Sequence, residues 1–215
     1  MDVARWWAEG WAVSRRAPAP VDEPWGLRID VGQPAQKVRH VLLGADGGTD
    51  VDPGTARALV GSLGEPTTCV KGFLPQDVMA DWFPAGWEPV EACFLMAVDL
   101  RPARARVPEG YTVAVETEGG VTRAHVLTTG GRPAAVGQTG RSGPACVYDQ
   151  IVTEPAHRRR GLGTVVMGAL TDAAVEDGLS VGVLGATVPG RALYETLGWK
   201  TLAPLSGFVL RPAAP

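Results

Sequence analysis

Pro155-Ala156-His157-Arg158-Arg159-Arg160-Gly161-Leu162-Gly163-Thr164 joins an apolar β-branched run at 147–153 to a helix-patterned run beginning near Val165. Strand, basic turn and helix start make an anion cradle. The first helical N–H groups have no intrahelical acceptor, and the helix dipole adds positive charge where they point. Gly161 and Gly163 let a bulky ligand approach the backbone, and Arg158, Arg159 and Arg160 add mobile charge, so the expected ligand carries phosphate. About 30 residues further on stands Tyr194, in Ala192-Leu193-Tyr194 followed by Leu197-Gly198-Trp199. A phenol with an ordinary pKa of about 10 stays protonated near neutral pH and can serve as an acid. Two carboxylates stand close by. Asp149 sits inside the apolar strand before the turn, and Glu154 at its end. Either could accept a proton, and Asp149 could instead bind a cationic substrate.

Each signal also has a plainer meaning. The turn could be a solvated basic loop, Tyr194 a core tyrosine, Asp149 a paired structural carboxylate and His157 an exposed turn residue. His40 and His125 lie in separate strand patterns, and the acidic run 46–52 lacks the spacing and terminal Glu of a calcium hand, so no metal site is expected. Gly161-x-Gly163 lacks the third glycine of a dinucleotide turn, no Gly-Lys-Ser/Thr follows, and Gly-x-Ser-x-Gly is absent from the chain.

The elements that must position these residues can be read from the pattern. A helix is expected over 3–13, ended by Ala17-Pro18-Ala19-Pro20. Strands come next at 27–31 and 38–43, a helix from Asp52-Pro53 to about residue 63, a strand at 67–71 and a short helix at 76–82. After a strand at 92–100, four runs at 111–115, 121–128, 133–139 and 146–153 are separated by glycine turns, which predicts an antiparallel meander. A helix over 163–177, a strand at 181–185, a helix at 190–197 and strands at 200–202 and 207–210 complete the chain. The proline-bearing, charged stretch 101–110 divides it into an N-terminal α/β portion, 1–100, and a second unit, 101–215.

Composition narrows the classes. The 215 residues are 45% apolar and 20% charged, enough for a sizeable core, and the formal net charge of −3 argues against a nucleic-acid partner. Cys69, Cys93 and Cys146 are too scattered for a disulfide framework and read as reduced thiols of a cytoplasmic protein. No membrane span or secretory signal is expected. Arginine, alanine, glycine and proline prevail over lysine, which fits a GC-rich bacterial genome. Trp6, Trp7, Trp11, Trp25, Trp82 and Trp87 crowd the front, so it is core, an interface such as a homodimer's, or a substrate wall.

Pro155-x-x-Arg158-x-x-Gly161-x-Gly163 resembles the acetyl-CoA pyrophosphate motif of the GNAT superfamily of N-acetyltransferases, and Ala192-Leu193-Tyr194-x-x-Leu197-Gly198-Trp199 resembles its other hallmark. The similarity is strong over 145–201, weak over 92–145 and absent before. It implies an α/β (α+β) GNAT-like acyl-CoA N-acyltransferase fold, a twisted, mostly antiparallel sheet with flanking helices. It also implies acetyl-CoA as co-substrate and an amine of a small molecule or peptide as acceptor, acetylated by direct attack. By the same resemblance Ile151, Val152 and Thr153 splay from the neighbouring strand to meet the pantetheine arm and the oxyanion. Arg158, Arg159, Arg160, Gly161, Leu162, Gly163 and Thr164 hold the diphosphate, Tyr194 protonates the leaving thiolate, and Asp149, Glu154 or a water chain takes the amine proton. Two departures stand out. The helices usual between the first two strands are replaced by a short turn at 116–120, and Gly190 stands near a place where the family often has Asn. The front portion is expected to cover the sheet and shape the acceptor pocket. The rival functions are a non-catalytic acyl-CoA sensor and a protein-interaction module.

Overall fold

A computed structural model describes residues 2–212. The N-terminal helix α1 (Val3–Ser14) leads into β1 (Val21–Glu23), β2 (Gly26–Gln33) and β3 (Gln36–Leu42), then α2 (Pro53–Ser62), β4 (Thr68–Gly72), α3 (Gln76–Ala80) and β5 (Trp87–Pro89). Next come β6 (Cys93–Asp99) and the strands β7 (Tyr111–Glu118), β8 (Val121–Thr128), β9 (Pro133–Ser142) and β10 (Ala145–Thr153). The chain ends with α4 (Leu162–Glu176), β11 (Val181–Thr187), α5 (Val188–Thr196) and β12 (Lys200–Leu210). The Asp52 carboxylate accepts the Thr55 N–H at 2.7 Å with Pro53 at the first helical position, so α2 starts where its cap chemistry places it.

All twelve strands share one sheet, in the order β1-β2-β3-β4-β12-β6-β11-β10-β9-β8-β7, with β5 also on β12. Among the described residues, only β3–β4 and β10–β11 pair in parallel. The expected meander is β7 to β10. Gly119 and Gly120, both left-handed (φ 58° and 77°), close its first hairpin, so no helix intervenes between β7 and β8.

Two expectations change. The last two strands are one, β12, in which Leu202 is extruded as a bulge between Thr201 and Ala203. Its first half pairs with β6 and its second with β4, so it belongs to both halves of the sheet. The short strands β1 and β5 carry too few residues to show a period. β6, which precedes residue 100, lies between β12 and β11 in the sheet.

Alternation along the central strands sends side chains to two layers. Cys146, Tyr148 and Leu184 face α4, while Ala145, Val147 and Val183 face α1 with Trp7 and Trp11. A Cβ on Gly10 would lie 2.3 Å from Val147 Cγ2 and 2.9 Å from the Gly140 carbonyl oxygen, so α1 rests directly on the sheet backbone. A third core lies under α2 and α3, around Leu42, Val70, Met79 and Phe208.

Candidate active site

The site begins where β10 leaves β11. Their parallel pairing runs from Ala145↔Val181 to Tyr148↔Leu184 and stops. On its other edge β10 carries an extra residue against β9 between Asp149 and Val152, with Gln150 left-handed at φ 55°. Such a bulge bends the strand and redirects the residues beyond it. Ile151, Val152 and Thr153 therefore stand apart from β11, which leaves polar backbone edge groups there without a ladder partner.

The chain then makes a short 3-10 turn (Pro155–His157) and enters α4 through Arg159 and Gly161, left-handed at φ 61° and 76°. A side chain at 161 would be strained in that conformation whatever the space around it. Among the described residues, the first helical amide with a protein acceptor is that of Val165, which donates to the Gly161 carbonyl at 3.2 Å. The N–H groups from Arg159 to Thr164 have no protein acceptor among the described residues, a nest of donors at the positive end of a helix. They open on a cavity of about 720 Å³, lined by residues 151–153, Arg158, Arg159, residues 161–164 and the start of α5. Arg158 Nε also donates to the Thr153 carbonyl at 3.3 Å, which ties the turn to the strand. Arg160 turns away: one guanidinium nitrogen donates to Tyr111 Oη at 2.9 Å, the other to the Ala156 carbonyl at 3.3 Å. Expected in the cradle, Arg160 instead braces the turn against β7, where Tyr111 Oη also meets His157 Nδ1 at 2.9 Å.

A second cavity of about 480 Å³ adjoins the first and shares Ile151, Thr153, Gly163, Gly190 and Leu193 with it. Tyr194 lines it from α5, whose first turn is capped by Thr187 Oγ1 accepting the Gly190 N–H at 3.3 Å. Trp199 backs the phenol, with ring centroids 6.0 Å apart, and packs edge-on to Tyr148 at 5.2 Å. Burial raises the Tyr194 phenol above its ordinary range, which keeps it protonated. This cavity runs through the gap between β10 and β11, and so is walled both by Tyr148 and Tyr194 and by Trp7, Trp11, Arg39 and Lys71 from the N-terminal portion.

The two carboxylates lie in different surroundings. Asp149 lines the second cavity, but Arg15 Nη2 donates to its Oδ1 at 3.0 Å while Arg15 Nε and Ser14 Oγ both contact Oδ2. The Gln150 N–H donates to Oδ1 as well, at 2.9 Å. A carboxylate gripped at both oxygens fastens α1 to the bulge and has no free lone pair aimed at a substrate. Glu154 is exposed and lines neither cavity. Sequence reasoning passed over Arg39, Lys71, Tyr148, Gln150 and Cys93. An arginine beside a histidine in β3 and a lysine in the otherwise uncharged β4 were the signals, since an ionisable side chain in a buried strand needs a reason. Burial raises the Cys93 thiol above its ordinary range, so it is no ready nucleophile.

Among the described residues, no helix is long and apolar enough to cross a membrane, and no cluster of three metal-binding side chains occurs. The model of the Acetyltransferase (GNAT) family matches residues 79–199, which starts before β6 and so reaches into the portion that showed no resemblance by sequence. Solved structures agree on the fold. A GCN5-related N-acetyltransferase from Kribbella flavida superposes with a TM-score of 0.69 at 17% identity, over 99% of this chain and 96% of that one. One from Sphaerobacter thermophilus gives 0.54 at 14%, over 70% and 62%. A GCN5-related N-acetyltransferase-like protein from Streptococcus suis gives 0.57 at 14%, over 88% and 85%. A search of curated proteins found no match. The family model spans more than half of the chain and falls on the split strand, the amide-lined turn and the helix that carries Tyr194; the protein belongs to the GNAT acetyltransferase family, whose members transfer an acyl group from an acyl-CoA to an acceptor.

Proposed function

We propose that the protein acetylates an amine of a small molecule or peptide by direct attack on acetyl-CoA. The observation that carries this reading is the junction of the two cavities: a cradle of free amides opens onto a pocket that holds a half-buried, protonated phenol. The residues suit the ligand. Amides 159–164 with Arg158 and Arg159 would hold the diphosphate, and the free edge of Ile151, Val152 and Thr153 would receive the pantetheine amides and the carbonyl oxygen that becomes negative. The amine nitrogen bonds to the thioester carbon, the carbon–sulfur bond breaks, and Tyr194 gives its proton to the departing sulfur. With Asp149 paired and Glu154 outside, the amine proton passes to water in the open cavity rather than to a side-chain base. The free thiols of Cys69, Cys93 and Cys146 support a cytoplasmic location.

Release of CoA thiol across a panel of amines tests the reaction; no release with any amine, at protein concentrations that bind acetyl-CoA, would refute it. Charge reversal in Arg158→Glu should weaken acetyl-CoA binding at least tenfold by calorimetry, and unchanged affinity would remove the cradle from the account. Asp149→Asn should lower stability by about 1–2 kcal/mol, since it leaves Arg15 half-buried and poorly paired, yet leave the pH dependence of kcat/KM where it was. A pH profile flattened on its acidic side by that change would restore Asp149 as the base.

A further inference from the structure

The second cavity, which Tyr194 lines, is also lined by two basic side chains that no carboxylate among the described residues pairs with. Arg39 is 9% exposed and Lys71 8%. In the parallel register Arg39 stands opposite Cys69, and Lys71 follows two residues later, so both side chains share one face of β3 and β4, the face under α1. Arg39 lies over the indole of Trp11, its guanidinium carbon 3.5 Å from the ring centre, and Nη2 donates to Gln36 Oε1 at 2.7 Å. Its buried Nε–H has no hydrogen-bond partner. The Lys71 stem runs across Gly207 of β12, where a Cβ would fall 2.6 Å from Lys71 Cδ, so any side chain at 207 would push the ammonium out of place. Among the described residues no carboxylate lies within ion-pair distance of Arg39 or Lys71.

Two like charges in a desolvated wall repel, and the indole and Gln36 offset only part of the hydration that Arg39 has lost. Burial, foremost, lowers both, Arg39 to about 10, so the guanidinium remains charged at neutral pH. Other groups also act on them. Cys69 and Cys93 bear on both, Arg15 and Asp149 on Arg39, and Glu91 on Lys71. Asp149 is already paired with Arg15 and Glu91 is exposed, so neither offsets the pair. An indole fixes the guanidinium, a glycine makes room for the lysine, and the buried Arg39 Nε–H has no protein acceptor among the described residues. Planar guanidinium edges match the two oxygens of a carboxylate.

We infer that the acceptor is an amino-carboxylate, its carboxylate held by Arg39 and Lys71, its apolar middle against Trp7 and Trp11, and its amine presented toward Tyr194. The inference rests on the acetyltransferase reading for the amine end, while the anion end stands on these residues alone.

The test compares matched pairs, the proteinogenic amino acids and ω-amino carboxylates of two to six carbons against their carboxamides, with phosphoethanolamine as a phosphate-bearing amine. Binding is followed by calorimetry and thermal shift, turnover by CoA release. At least one acid should exceed its amide tenfold or more in affinity and in kcat/KM. Arg39→Met and Lys71→Met should each bring that ratio near one, mostly through KM, and leave acetyl-CoA affinity as in the wild type. Arg39→Lys should recover some of the ratio, which a merely structural role would not produce, and serves also if Arg39→Met fails to fold. No acid preference in any pair, a preference that survives both variants, or tighter binding of phosphoethanolamine than of every acid would overturn the inference. Acids that bind in an Arg39-dependent way without turnover would uphold the anion site and count against the transferase reading instead.

Discussion

Tyr194→Phe should lower kcat by roughly 10²-fold near pH 7 and leave the KM for acetyl-CoA close to its wild-type value. The ring is kept, so its packing beside Trp199 and the wall of the second cavity persist; only the hydroxyl is lost. The size of the loss is bounded from the chemistry of the leaving group. A free thiolate has a pKa of about 8.5 and departs without help at an appreciable rate, so the acid is an accelerator rather than an absolute requirement. The pH dependence carries the sign. Burial raises the phenol above its ordinary value, so its proton is present through the neutral and mildly alkaline range. Wild-type kcat should therefore show no fall from loss of this proton across that range, and the gap between wild type and variant should stay constant through it. Steady-state rates from neutral to mildly alkaline pH check both statements. A loss smaller than threefold, or a gap that closes within that range, would take the proton donor's role from Tyr194.

What the chain discloses on its own is what its local chemistry dictates. Asp52-Pro53 starts a helix because cap and proline act within one turn, and the Gly119-Gly120 hairpin forms because two left-handed residues fit its twist. The cradle was legible for the same reason, since strand, turn and helix start are contiguous. The features that resisted reading depend on residues far apart in sequence. The ion pair that holds Asp149 joins it to Arg15, 134 positions earlier, and both a free and a paired carboxylate fit the same apolar strand pattern. Arg160 looks like Arg158 until Tyr111 of β7 comes within reach of it. The bulge that opens β10 rests on a left-handed Gln150, a residue type with no special preference for that conformation. Arg39 and Lys71 left a trace as ionisable groups in strand runs, but only the fold puts them in one cavity with Tyr194. By pattern, β12 is broken by Pro204 and Ser206; the structure keeps it whole because its two halves serve different neighbours.

A chain beginning at Arg101 should fail to give a soluble, acetyl-CoA-binding protein, although it retains the cradle and Tyr194. Two losses combine. Removal of β6 takes away the strand that pairs with β11 from Val181↔Asp99 to Thr187↔Cys93 and with β12 from Lys200↔Ala97 to Leu205↔Cys93. The strand behind the split of β10 and the strand that comes after α5 then lose their common neighbour, and two buried sheet edges are left open to pair with other chains. Removal of α1 strips the face formed by Ala145, Val147 and Val183, all fully buried, and unpairs Asp149. Bare apolar sheet of this kind favours association over folding. A chain beginning near residue 79, where the family match starts, separates the two effects. It regains β6 and closes the gap between β11 and β12, yet leaves the α1 face bare, so it too should aggregate unless a peptide of residues 2–20 is supplied to cover that face. Expression yield, size-exclusion elution and far-UV circular dichroism of the three chain lengths decide the matter. A monomeric fragment from Arg101 that binds acetyl-CoA would show that the front of the chain is dispensable to the fold, and would leave Trp7, Trp11, Arg39 and Lys71 as walls of the acceptor pocket and nothing more.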